Sequence, residues 1–299
     1  MMTIIEAMAA RRSTRSFDGR RISAAESREL SAMLESVAAE ETPFGNSPRL
    51  ALYDCEEDSK PVRLGTYGLV SGVSAYIVPA MTPGPGALED SGYIIEKAVL
   101  EATAMGYASC WIGGVFSRGK ASAIVAVAGG ELVPAVIALG RPAARRSLAD
   151  RIVRGAAKSR SRRALDSLVF SVDGGVGAAT ANPSSAAGSP AIAEPWLGVV
   201  EAMRDAPSAS NKQPWRLVKV PGSDEWLMFL DEDRVYNNSL GEVHIQNIDI
   251  GIGMRHFKEA AAAAGLRGRW MPARASDGAL DVALRYGAGR GWTPISLWR

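Results

Sequence analysis

The stretch that decides the reading is 204-RDAPSASNKQPWR-216, where Pro207, Ser208, Ser210, Asn211, Gln213 and Pro214 crowd together just ahead of Trp215. Its prolines fix φ and withhold donors, while Ser and Asn side chains compete for backbone hydrogen bonds, so neither a helix nor a strand interior suits it. It is a loop, and it runs straight into the strand-like WRLVKV. Amide and hydroxyl groups at this density suit recognition of a flat ligand edge that mixes donors and acceptors.

Around that loop the composition narrows the choice of ligand and compartment. The chain has 299 residues, 47% hydrophobic and 22% charged, which places it among globular proteins with room for two domains. A formal net charge of +2 argues against a dedicated nucleic-acid binder. Cys55 and Cys110 are too few for a disulfide framework, which points to a reducing compartment. The start, MMTIIEAMAARRS, has no signal-peptide core, and its basic residues follow the apolar ones. With no run of about 18 apolar residues, a membrane span is not expected. The expectation is a cytoplasmic protein without a membrane partner.

Working towards the N-terminus, Thr3 with Glu6 and Ser23 with Glu26 are capping-box pairs opening two helices, the first ending near Arg11. RLALYD and SAYIVPA read as strands, YIIEKAVLEATAMG as a helix stopped at Gly106, and LVPAVIALG as a buried strand. Towards the C-terminus, PWLGVVEAMR reads as a helix, EWLMFLD as a strand, DIGIGMRHFKEAAAAAG as a long helix stopped at Gly265, and DVALRYG as a final strand. Residues 178–193, rich in Ala, Ser, Gly and Pro, read as a linker between a half at 1–177 and a half at 194–299. IIEKAVLEATAMGYASCW echoes IGMRHFKEAAAAAGLRGRW, each followed by a strand ending in Gly, VIALG and ALRYG, which predicts an internal duplication.

In ARRSTRSF, Arg11, Arg12, Ser13 and Arg15 sit just past a helix. Guanidinium forks beside a hydroxyl bind phosphate through charge-assisted bonds, although a solvated basic turn is the commoner meaning of such a run. Taken together, RRSTRSF, APSASNKQPW, GYASCWIGG and IALGRPAARRSL resemble the flavin-binding segments of the nitroreductase family. Members of that family usually form homodimers with FMN at the interface, and this chain resembles the tandem type that carries both sides. The implied fold is α+β and nitroreductase-like, with two related halves, each a mixed or antiparallel sheet flanked by helices, packed as an internal pseudo-dimer and monomeric.

The resemblance implies that Arg11, Arg12 and Ser13 hold the FMN phosphate and that Arg15 approaches the pyrimidine side of the ring. Asn211 and Gln213 would read the polar ring edge, with Pro207, Ser208 and Ser210 shaping the wall. Gly113 and Gly114 would let backbone N–H groups approach N5, beside Trp111, which stands where the family often has Pro. Gly113 takes the place of a frequent Glu. Arg145 and Arg146 match the later basic motif. The corresponding loop of the first half, TPFGNSPRL, keeps Asn46 but loses the Gln-Pro-Trp ending, so one FMN site per chain is expected.

The implied activity is transfer of electrons from NAD(P)H through the flavin to a small electron acceptor, a nitroaromatic or quinone. The alternative is a flavin-binding scaffold without turnover. Nucleic-acid binding through the Arg-rich 145–163 ranks last. His244 and His256 match no metal spacing and read as structural or surface residues. No GxSxG element is present, DGGVGAAT reads as linker, and the NNS at Asn237 means little without a secretion signal.

Overall fold

The computed structural model describes residues 2–55, 64, 68–144, 161–171, 192–273 and 279–299. It divides into two compact units, Met1–Arg160 and Ser161–Arg299.

In the first unit both capping boxes form. Thr3 and Glu6 open α1 (Ile4–Ala10), and Ser23 and Glu26 open α2 (Ala24–Ala38), each Ser or Thr hydroxyl taking the Glu backbone N–H while the Glu carboxylate returns to the cap. Strands β1 (Arg49–Asp54), β2 (Ala75–Ala80), β3 (Ala108–Ile112) and β4 (Val136–Gly140) form an antiparallel sheet in the order β1-β2-β4-β3. Between β2 and β3 runs α3 (Ala87–Ala104), almost wholly buried, as a helix apolar on most of its faces must be. The short α4 (Arg118–Ile124) lies between β3 and β4.

The second unit repeats that plan. After a 3-10 turn at Leu165–Ser167 come β5 (Val169–Ser171), α5 (Trp196–Arg204), β6 (Trp215–Lys219), β7 (Trp226–Leu230), a short α6 (Arg234–Asn237), the long α7 (Ile245–Ala263), β8 (Trp270–Pro272), α8 (Ala279–Ala288) and β9 (Thr293–Trp298). The sheet order is β5-β6-β7-β9-β8, so β6 to β9 reproduce the order of β1 to β4, and β5 adds a parallel edge strand. Phe257 of α7 packs among Trp196, Trp226, Trp270 and Trp298, its ring centroid 4.9 Å from that of Trp270.

Both long helices end alike. Gly106 (φ 86°) and Gly265 (φ 76°) take the left-handed conformation, and the next N–H, of Tyr107 or Leu266, reaches back to the carbonyl of Ala102 or Ala261 at 2.9 Å. This is the Schellman arrangement, which glycine enters without Cβ strain.

Two expectations change. DVALRYG forms helix α8 rather than a strand, with Leu280, Ala283 and Gly287 buried at helical spacing, and the last strand is β9. VIALG is therefore matched by β9, not by ALRYG. The units divide at Arg160, and residues 161–171 belong with the second because β5 pairs with β6. Most of the expected linker, 178–191, lies outside the described residues. Among the described residues no helix is long and apolar enough to cross a membrane.

Candidate functional site

The loop ahead of β6 is held in an unusual backbone conformation. Ser210, Asn211 and Gln213 all sit at positive φ, 48°, 56° and 50°. Asn tolerates this region, whereas Ser and Gln rarely enter it. Polar contacts hold the turn on all sides. Ser208 Oγ accepts the Gln213 N–H at 2.9 Å, Gln213 Oε1 accepts the Arg163 N–H at 3.0 Å, and Asn211 Nδ2 donates to the Ser161 carbonyl at 2.9 Å. Ser210 Oγ lies 2.8 Å from the Tyr236 hydroxyl, and Lys212 pairs with Asp233 at 2.9 Å.

Gln213 is only 2% exposed and spends its amide on Arg163 and Asn211 within the unit, while Ser210 is exposed and Pro207, Ser208 and Asn211 are half-buried. Arg162, from the segment ahead of the Leu165–Ser167 turn, comes within 3.4 Å of Asn211 Oδ1 and donates to the Asp205 carbonyl at 2.9 Å. Sequence reasoning passed over Arg162 and Arg163. Their signal was the Arg density of 145–163, which reads from sequence as a nucleic-acid surface because the run stands far from the loop.

A buried carboxylate on α7 completes the loop's support. Asp249, 2% exposed, accepts the Ala209 N–H through Oδ1 at 2.9 Å. Its Oδ2 is buried with no hydrogen-bond partner among the described residues, and burial pushes its carboxyl up to about 8. In the first unit Asp90 of α3 does the same for the TPFGNSPRL loop. It accepts the N–H groups of Phe44 and Asn46 at 3.0 and 2.9 Å and the Asn46 side-chain amide at 2.9 Å. Burial raises the Asp90 carboxyl, against the pull of these bonds. A single constant offset relates Asp90 to Asp249, Gly106 to Gly265 and Trp111 to Trp270.

The Arg–Ser segment of the first unit is extended along the sheet edge. Ser13 bridges Ser109 of β3, the Thr14 N–H donates to the Ser109 carbonyl at 2.8 Å, and Ser16 and Phe17 bridge Ser71 and Pro142. Arg11 caps α1, is 6% exposed, and places Nε 3.8 Å from Glu96 Oε1, while Trp111 Nε1 donates to Glu96 Oε2 at 2.8 Å. Burial lowers the Arg11 pKa, and the Glu96 charge opposes that. At the position matching Glu96 the second unit has Arg255, fully buried and paired with Glu259 at 3.0 Å.

Arg12 is exposed and donates to the Ala9 and Arg11 carbonyls at 2.6 and 2.7 Å, and Ser13 and Arg15 are half-buried. A cavity of about 420 Å³ beside the segment is lined by Arg12, Thr14, Ser16, Tyr107 and Pro142 among others. Gly113 is half-buried and Gly114 exposed, just past the end of β3. Arg145 and Arg146 lie outside the described residues.

The paired loops, the sheet order and the long buried helices define a nitroreductase-like α+β fold. A crystal structure of a “putative nitroreductase” from Thermotoga maritima has it too, with TM-score 0.56 and 17% identity over 99% of this chain and 93% of that one. The family described as “Putative TM nitroreductase” matches residues 3–261, and this chain belongs to it. A nitroreductase with bound FMN from Bacteroides fragilis shares 21% identity over 50% of this chain and 92% of that one, TM-score 0.37. A “putative nitroreductase” in complex with FMN from Desulfovibrio desulfuricans shares 20% over 50% and 94%, TM-score 0.36. No curated protein matches the chain.

Proposed function

We propose that this protein is an FMN-dependent oxidoreductase with NAD(P)H as co-substrate and a small electron-poor acceptor, a nitroaromatic or a quinone. The candidate flavin-binding segments are Arg11–Arg15 in the first unit and the loop from Pro207 to Gln213 in the second. The observation that carries the reading is the loop itself. Backbone strain of this kind costs about 1–3 kcal/mol per residue and concentrates at ligand clamps, where the surroundings over-determine the conformation. Ser210, Asn211 and Gln213 are such residues, on the segment whose chemistry suits a flat polar ring. Family membership and the RRSTRSF motif point the same way.

The donor set fits the cofactor. Arg11, Arg12 and Ser13 would bind the phosphate, and Arg145 and Arg146 remain candidates. Arg15 supplies a fixed cation, which favours negative charge on the ring. Gln213 keeps the loop in shape from inside, leaving Ser210 and the backbone to meet the ligand. Gly113 and Gly114 put no side chain in the way of a close backbone approach. Bound FMN supplies hydride acceptance from the nicotinamide and electron transfer to the acceptor.

The repeated strand order, the paired Schellman stops and the constant offset support a duplication, and we read the two units as an internal pseudo-dimer. The test is spectroscopic. The purified protein is expected to be yellow, to bleach anaerobically with NADPH or NADH, and to recolour on addition of a quinone. A colourless protein that takes up no FMN overturns the reading. A yellow protein that neither nicotinamide bleaches is a flavin-binding scaffold, the reading that Trp111 and Gly113 favour.

A further inference from the structure

We infer that Asp249 is a positioning residue for the flavin, because its hold on the Ala209 N–H fixes the left-handed turn from Ser210 to Gln213 in the shape that meets the ring. The inference rests on the FMN reading above.

Ala209 is the last residue before the backbone turns to positive φ. Contacts within the loop, such as Ser208 Oγ to the Gln213 N–H, set its internal shape but do not fix it to the body of the unit. Asp249 joins Tyr236, Asp233, Ser161 and Arg163 in doing so, and it acts from α7, whose residues on both sides of it are buried, so the turn inherits the position of a rigid helix.

A carboxyl is a costly group for that place. It is 2% exposed, and one oxygen has no partner among the described residues, so an apolar side chain would serve better if packing were the only requirement. The surroundings keep it neutral. α7 packs against α5, β6, β7 and the Ala209–Asn211 turn, and of these only the turn offsets the effect of burial, through the Ala209 N–H. Tyr236, hydrogen-bonded to Ser210, is the neighbouring ionisable group whose own acidity Asp249 weakens, and the Lys212–Asp233 pair acts on Tyr236 in turn. Once ionised, the carboxylate is a buried charge offset only by the Ala209 N–H, which favours states in which the site opens to water.

The test titrates FMN back into the full-length protein after dialysis, reading flavin fluorescence from about pH 6 to about pH 9 for wild type, Asp249→Asn, Asp249→Leu and Asp90→Asn. Asn keeps an oxygen for the Ala209 N–H and cannot ionise. Expected at neutral pH are D249N and D90N within about threefold of wild type and D249L weaker by about tenfold or more, the cost of one buried N–H left unmet. Wild-type and D90N affinity should weaken above about pH 8, while D249N stays flat. A D249L protein that binds as tightly as wild type, or identical pH profiles for wild type and D249N, overturns the inference. If D249L does not fold, the pH comparison decides alone. A wild-type protein that binds no FMN at any pH removes the flavin reading first, and this inference with it.

Discussion

Asp90 and Asp249 occupy the same place on the long helix of each unit, and each accepts backbone N–H groups from the loop that precedes the unit's first core strand. Asp90 takes two such donors and a side-chain amide, whereas Asp249 takes one and keeps a bare oxygen. The first loop is thus tied through Asn46 to Asp90 and the Pro85 carbonyl, and the second is left with Ser210 exposed and its backbone at positive φ.

The Asp249 carboxyl stands at about 8 in the fold and near 3.8 otherwise. A raised folded pKa means that its contribution to stability is full below about pH 4 and is lost as the pH rises through about 8. Asp249→Asn removes that loss. Its unfolding free energy relative to wild type should climb across this window by roughly 1.4 kcal/mol for each step of one in pH, and level off above it. Urea denaturation at a series of pH values checks this, and a difference that does not vary with pH counts against it.

Glu96 is the counter-ion of a nearly buried Arg11 and the acceptor of the Trp111 indole. Removing one partner leaves the other charge uncompensated, so Glu96→Ala should cost about 3–5 kcal/mol. Trp111→Phe removes only a donor and should cost about 1–3 kcal/mol. Chemical denaturation of both variants should rank them in that order.

Gly106 and Gly265 stop equivalent helices at similar φ, but a Cβ at Gly106 would come within 2.9 Å of Arg141 Nη1, whereas one at Gly265 would meet nothing within 4 Å. Gly265→Ala should therefore lose about 1–2 kcal/mol, the strain of a left-handed alanine. Gly106→Ala should lose more, because Arg141 must also give way. Equal melting temperatures for the two variants would speak against this.

The Asn46 side-chain N–H groups are committed to Asp90 and the Pro85 carbonyl, so the first unit's loop is held by its own unit. The purified chain should carry one FMN, measured as released flavin per polypeptide. A ratio of two would mean that the first loop opens.

Local signals in the sequence proved legible where the physics is local. Both capping boxes and both glycine stops need only a few adjacent residues, and they lie where the spacing puts them. DVALRYG is a short run that reads as a strand, and the Asp281–Arg285 pair four apart is what marks it as a helix. β9 was hidden behind Pro294, which sits in the strand beside a register shift. Asp249 gave no signal because a lone acid inside IQNIDIGIGM looks like a solvent-facing residue until its helix is known to be buried on all sides. Arg162 and Asn211 meet across a long sequence separation that no window spans.

At one matched place this polypeptide carries Glu96 and at the other Arg255, an acid facing Arg11 and a base facing Glu259. An assembly of identical subunits must write every substitution twice, so it cannot reverse a buried charge on one side alone. On the duplication proposed above, carrying both copies in one chain lifts that symmetry and lets each buried charge change alone.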